Sequence, residues 1–182
     1  QVCVYRNGKM KRVMQEFNGS GMTEYDENGK KVYEGEYGGD SVHGFVRSGN
    51  GEEYRDGNVV YTGEWKDGVR NGKGYCFEGN GSDIKLCLFG GGFVIRVIVE
   101  INGSVMTEYD NNGKKKYVGG FKGDWKNGFV RSGEGKEMDG NGRVVKSGNW
   151  VDGEFNEMTV AVPSFLTSRP LGIEELRVGD NG

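Results

Sequence analysis

Proline is nearly missing, with 2 in 182 residues, and histidine occurs once, at His43. Cysteine is scarce too: Cys3, Cys76 and Cys87 form no C-x-x-C pair. A disulfide framework needs an even, closely spaced set, and a zinc centre needs clustered Cys or His, so neither is expected. Reduced structural thiols are the favoured reading, with one disulfide or a reactive thiol as the alternative. Long apolar runs are also absent. The longest, FVIRVIVEI over residues 93–101, is nine residues and contains Arg96 and Glu100, against about 20 for a membrane-spanning helix. No excess of positive charge exists, 24 basic against 27 acidic residues giving −3, so nucleic acid is not an expected partner. The chain opens at Gln1 without a leader pattern and reads as an excised piece or a mature domain. A cytoplasmic or membrane-peripheral setting is favoured.

What is abundant is glycine, 35 residues, together with 12% aromatics. Interior glycine costs a helix about 1 kcal/mol per residue, and disordered chains are poor in aromatics. The combination predicts short strands joined by tight turns.

A repeat organises these residues. The 51 residues from Cys3 return 84 positions later from Cys87 with 29 identities. Within each 84-residue unit runs a finer 28-residue period, marked by Tyr5, Tyr33, Tyr61, Phe89 and Tyr117 and ending at Lys146 after one inserted residue. Four positions on come Lys9, Tyr37, Trp65, Phe93, Phe121 and Trp150, with glycine between the two marks in five of six copies. Segments such as VVYTGEW (59–65) alternate as half-buried strands do. Asn18-Gly19, Asn28-Gly29, Ser48-Gly49, Asp56-Gly57, Asp67-Gly68 and Asn71-Gly72 supply type I′ turn signals. Two turns per copy predict one hairpin per copy, paired edge to edge. The expected fold is all-β, an elongated single-layer antiparallel meander over residues 1–156.

In a strand, residues i, i+2 and i+4 share a face. Tyr33, Tyr37, Tyr61, Trp65, Tyr117, Phe121 and Trp150 are therefore expected as one stripe along the repeat axis, each pair of rings flanking a bare glycine. Packing is the favoured role of this stripe, and a ligand or partner groove the alternative. The apolar run in copy four is expected to be a buried strand, with a partner edge as the second reading and a lipid-facing patch as the third.

YTGEWKDGVRNGKG (61–74) resembles the MORN repeat, Y-x-G-x-W-x-x-G-x-x-x-G-x-G, and YEGEY (33–37), YVGGFKGDWKNG (117–128) and SGNWVDGEF (147–155) are looser versions. EYDENGKK (24–31) and EYDNNGKK (108–115) are similar to turns of the family's variant repeats. The 28-residue spacing departs from a family norm nearer 23. The resemblance implies an elongated antiparallel sheet acting as a scaffold for a protein partner or a second copy, with phospholipid contact known in some members.

No constellation for catalysis, metal or cofactor is found. His43 is replaced by Asn127 in the second unit, and no nucleophile elbow or Walker-type loop occurs. A non-catalytic interaction module is the first expectation. The alternative is peripheral binding of anionic lipid through the basic turns Lys30-Lys31 and Lys114-Lys115-Lys116, offset by Glu24, Asp26, Glu108 and Asp110. A weaker alternative is a carbohydrate-binding solenoid using the Trp65 and Trp150 region. Residues 157–182 hold both prolines, Pro163 and Pro170, and IEELRVGDN (173–181), which resembles part of a leucine-rich repeat. They are expected to cap the last hairpin or to open such an array.

Overall fold

The computed structural model describes residues 1–157. The expected cap or leucine-rich segment from residue 158 on lies outside the described residues. The fourteen strands are β1 (Val2–Arg6), β2 (Lys9–Asn18), β3 (Gly21–Tyr25), β4 (Lys31–Asp40), β5 (Gly44–Arg55), β6 (Asn58–Lys66), β7 (Val69–Glu78), β8 (Asp83–Gly90), β9 (Phe93–Asn102), β10 (Val105–Tyr109), β11 (Lys115–Asp124), β12 (Gly128–Met138), β13 (Val144–Val151) and β14 (Glu154–Asn156). They form one open antiparallel sheet in sequence order. The fold is an all-β meander, as the repeat predicts. Among the described residues no helix is long and apolar enough to cross a membrane.

Turn chemistry differs by site. Asp56-Gly57 and Asp67-Gly68 have positive φ at both residues and are the expected two-residue hairpins, and Asn7-Gly8 and Asp152-Gly153 form turns of the same kind. Asn28-Gly29 belongs to a longer turn, where Asp26 Oδ1 accepts from the amides of Asn28 (2.8 Å) and Lys30 (2.9 Å). The same turn recurs at Asp110 and Asp139. Between β2 and β3 the loop is Gly19-Ser20, with positive φ on the glycine alone of the two. Ser48-Gly49 and Asn71-Gly72 are not turns at all. Gly49 (φ 66°) and Gly72 (φ 75°) sit inside β5 and β7, where the register slips between Gly35 and Tyr37 and between Gly63 and Trp65. They are bulges, and the left-handed backbone there is the reason for glycine.

One hairpin per copy is also incorrect. Copies one and four each carry an extra strand, because Gly19-Ser20 and Gly103-Ser104 add a tight turn. In copy four Gly91-Gly92 turns the chain, so Phe89 and Phe93 lie on different strands. Each 84-residue unit therefore holds seven strands, β1–β7 and β8–β14. Seven is odd, so equivalent strands of the two units run in opposite directions. Keeping the chain right-handed while reversing strand direction requires turning the sheet over.

The register confirms the inversion. Directly paired residues share a face, and the pairs run Tyr33–Glu53–Tyr61–Cys76–Lys85–Glu100–Thr107–Val118. This is the front face. Tyr117, next to Val118, points to the back. The expectation of a single continuous stripe is thus overturned. One core lies on the front, with Met22, Tyr33, Tyr61, Trp65, Cys87 and Phe89. The other lies on the back, with Ile101, Met106, Tyr117 and Trp150.

Where the faces exchange, β8 and β9 serve both sides. Val97 packs on the front core, and Ile84 and Val99 on the back core, with register slips at Leu86/Cys87 and Leu88/Phe89. This double duty accounts for Val97, Val99 and Ile101 of the apolar run in β9. The sheet also bends toward its rings. Phe17 of β2 and Phe45 of β5 have ring centroids 4.5 Å apart on the front, although three strand spacings in a flat sheet come to about 14 Å. Trp125, just past β11, lies 5.5 Å from Phe77 of β7 on the back, where flat spacing gives about 19 Å.

Candidate interaction surface

Tyr33, Tyr61 and Tyr117 each lie flat across two glycines of neighbouring strands. Gly35 faces Gly51, Gly63 faces Gly74, and Gly119 faces Gly135. A Cβ on Gly63 would stand 2.5 Å from Gly74 Cα and 2.7 Å from the Tyr61 hydroxyl, so no side chain fits beneath the ring. The hydroxyls donate to carbonyls three residues on: Tyr33 to Glu36 (2.6 Å), Tyr61 to Glu64 (2.9 Å) and Tyr117 to Gly120 (2.9 Å). Trp65 stands edge-on between Tyr33 and Tyr61, 5.3 Å from each, and Trp150 stands likewise beside Tyr117.

An arginine closes each tyrosine from above. Arg47, Arg70 and Arg131 place their guanidinium carbons 4.8, 4.5 and 4.5 Å from the rings of Tyr33, Tyr61 and Tyr117. Carboxylates hold them: Glu24 on Arg47 (2.7 Å), Glu53 on Arg70 (2.7 Å), and both Glu108 (2.7 Å) and Glu137 (3.1 Å) on Arg131. With glycine below and arginine above, all three tyrosines reach 0% exposure on a single sheet. Burial pushes the Tyr33 phenol up to about 12 and raises Tyr61 and Tyr117 as well. The arginines were not among the expected site residues. Their signal is R-[SN]-G-x-G, at RSGNG (47–51), RNGKG (70–74) and RSGEG (131–135), whose first glycine is the bulge and whose second underlies the ring.

The stripe residues are therefore an interior. Tyr33, Tyr61, Tyr117, Trp65 and Trp150 are buried and Tyr37 and Phe121 half-buried, so no groove runs along them, and the tryptophans have no free face for a sugar ring. The basic turns are separated by the inversion. Lys30-Lys31 follows an odd strand and Lys114-Lys115-Lys116 an even one, so they stand at opposite ends of the strands. Lys30 pairs with Asp56 at 3.2 Å and Lys31 with Glu34 at 2.6 Å, and Lys114 donates to the Gly140 carbonyl. Lys115 and Lys116 are exposed. His43 sits in an exposed turn against Asp40 (3.0 Å), and Asn127 makes the same contact to Asp124 (3.1 Å). A shared turn-stabilising role accounts for both residues.

The exposed apolar surface lies elsewhere. Turns after β4, β6 and β8 stand side by side at one end of the sheet, tied by hydrogen bonds from Gly68 N to Arg47 O and from Gly92 N to Arg70 O, each 3.0 Å. Around them Val42, Val46, Val69, Phe93, Val94 and Ile95 are exposed, with Phe93 at 80% and Ile95 at 63%. Copy four is thus not a buried strand over its first three residues. That part of β9 pairs with β8 but has no strand on its other side, because the short β10 pairs only with residues 99–102.

Comparison with family models, with curated proteins and with solved structures returned no match.

Proposed function

We propose that the chain is a non-catalytic repeat scaffold that binds a second copy of itself or a protein partner through the apolar corner at β8 and β9. The carrying observation is that Phe93, Val94 and Ile95, three consecutive apolar residues, are exposed beside Val69 and Val46, whereas the aromatic stripe is sealed. Exposed apolar side chains gathered at one end of a sheet mark an interaction site, and the edge of β9 ahead of Val99, which β10 does not pair, offers backbone groups for strand addition. The resemblance to MORN repeats supports the same reading. Opposed basic turns, largely neutralised by acidic neighbours, argue against a lipid surface as the main ligand.

Sedimentation equilibrium across a concentration series tests self-association. The wild-type chain is expected to associate, and Phe93→Ser with Ile95→Ser to remain monomeric with an unchanged circular dichroism spectrum. A wild-type monomer at every concentration, pelleting with anionic vesicles that the double variant matches, overturns the proposal in favour of the lipid alternative.

A further inference from the structure

Of the three arginine modules, the middle one differs in a single chemical group. Arg47, Arg70 and Arg131 are each followed six residues later by the residue that pairs with the module's tyrosine: Glu53, Cys76 and Glu137. Arg131 directs Nη1 to the Glu137 carboxylate at 3.1 Å, and Arg70 directs its Nη1 to Cys76 Sγ at 4.0 Å. A thiol occupies the place where the repeat otherwise puts an anion. The guanidinium is not free to leave, since Glu53 holds its Nε (3.0 Å) and Nη2 (2.7 Å).

A second thiol completes the arrangement. Cys87 on β8 is buried and Cys76 on β7 is half-buried, and the register places them diagonally across the β7–β8 pair on the front face. Hydrogen bonding from the neighbouring Cys87 thiol first, and the Arg70 charge with it, pull the Cys76 thiol down against burial. Cys87, donating to a neighbour that becomes anionic, is pushed up. Thiolate is the nucleophilic form, and a cationic, partly open site is where reactive cysteines are found.

We infer that Cys76 is an oxidative modification site, a thiolate faced by the Arg70 guanidinium that accepts oxygen from a hydroperoxide. The sulfur attacks the terminal oxygen, so an S–O bond forms as the O–O bond breaks. Sulfur is oxidised by two electrons to a sulfenic acid. The peroxide is reduced, and its leaving alkoxide or hydroxide takes a proton from water. Cys87 acts as hydrogen-bond donor and not as the resolving thiol. It faces Gly74 directly, whereas Cys76 faces Lys85, and such diagonal neighbours stand about 7–8 Å apart at Cα, beyond ordinary disulfide reach.

Treating the folded chain at pH 7 with hydrogen peroxide and then dimedone, followed by peptide mass analysis, tests this. Cys76 is expected to carry the adduct ahead of Cys3 and Cys87. Iodoacetamide rates against pH should give Cys76 a midpoint below the ordinary thiol value of about 8.5. The ionisable groups facing it are Arg70, Glu53, Tyr61, Cys87, Lys85 and Glu78; Arg70, Lys85 and the Cys87 thiol favour the anion, and Glu53 and Glu78 oppose it. Arg70→Gln should slow alkylation at pH 7 by about three- to tenfold, with Cys3 unaffected. Labelling of Cys3 before Cys76, a Cys76 midpoint at or above the ordinary value, or a Cys76–Cys87 disulfide in place of the adduct overturns the assignment. The wild-type profile decides the matter even if Arg70→Gln does not fold.

Discussion

The two 84-residue units share a sequence and present it on opposite faces. Tyr33, Tyr61, Trp65, Arg47 and Arg70 of β1–β7 stand on the front, and their counterparts Tyr117, Trp150 and Arg131 of β8–β14 stand on the back. Local geometry is nevertheless conserved: the Tyr33–Trp65 and Tyr117–Trp150 pairs both have centroids 5.3 Å apart at 80°. What the repeat specifies is a module of ring, glycine and arginine, not a side of the sheet. The side follows from counting strands.

If the modules are equivalent, both faces should fail together under alkali. The buried tyrosines have phenols raised above their unfolded value, so their contribution is complete below about pH 10. It is lost as pH rises through the folded value, about 12 for Tyr33. Absorbance at 295 nm should show these phenols ionising in one step with loss of the near-ultraviolet dichroism. Separate transitions would mean the faces are independent.

Truncating equivalent rings sharpens the comparison. Tyr33→Ala and Tyr117→Ala should each cost about 3–5 kcal/mol in urea unfolding and agree with each other. A smaller change comes from the glycine beneath. A Cβ on Gly51 would stand 2.5 Å, and one on Gly135 2.6 Å, from the nearest tyrosine ring carbon, so Gly51→Ala and Gly135→Ala should each cost about 1–3 kcal/mol.

The tryptophans should break the symmetry. Trp65 Nε1 donates to Gly51 O at 3.1 Å, whereas Trp150 Nε1 is buried without an acceptor among the described residues. Trp65→Phe should therefore be the more damaging of the two by about 1 kcal/mol. Equal losses would show that Trp150 finds an acceptor beyond residue 157.

Much of this fold was legible because strand and turn chemistry are local. The alternation in VVYTGEW and the paired positive-φ residues of Asp56-Gly57 and Asp67-Gly68 mark β6 and its two turns from sequence alone. Ser48-Gly49 and Asn71-Gly72 misled, because a bulge and a hairpin both ask for glycine at positive φ, and only the pairing register separates them. The side of the stripe was hidden for a related reason. Asn18-Gly19 signals a turn, realised one residue on at Gly19-Ser20, but a count of two turns per copy leaves no room for it or for Gly103-Ser104, and an error of one strand per unit exchanges the faces. The arginine lids escaped notice because Arg47 and Glu24 lie 23 residues apart and meet only through three paired strands. Their motif was nevertheless present in triplicate.

Odd strand parity has a further consequence for growth. A unit that always curled the same way would steer a lengthening sheet into a ring, joining its first strand to its last. Here each unit undoes the heading set by the one before, so the ribbon undulates and its two margins stay apart however many units are added.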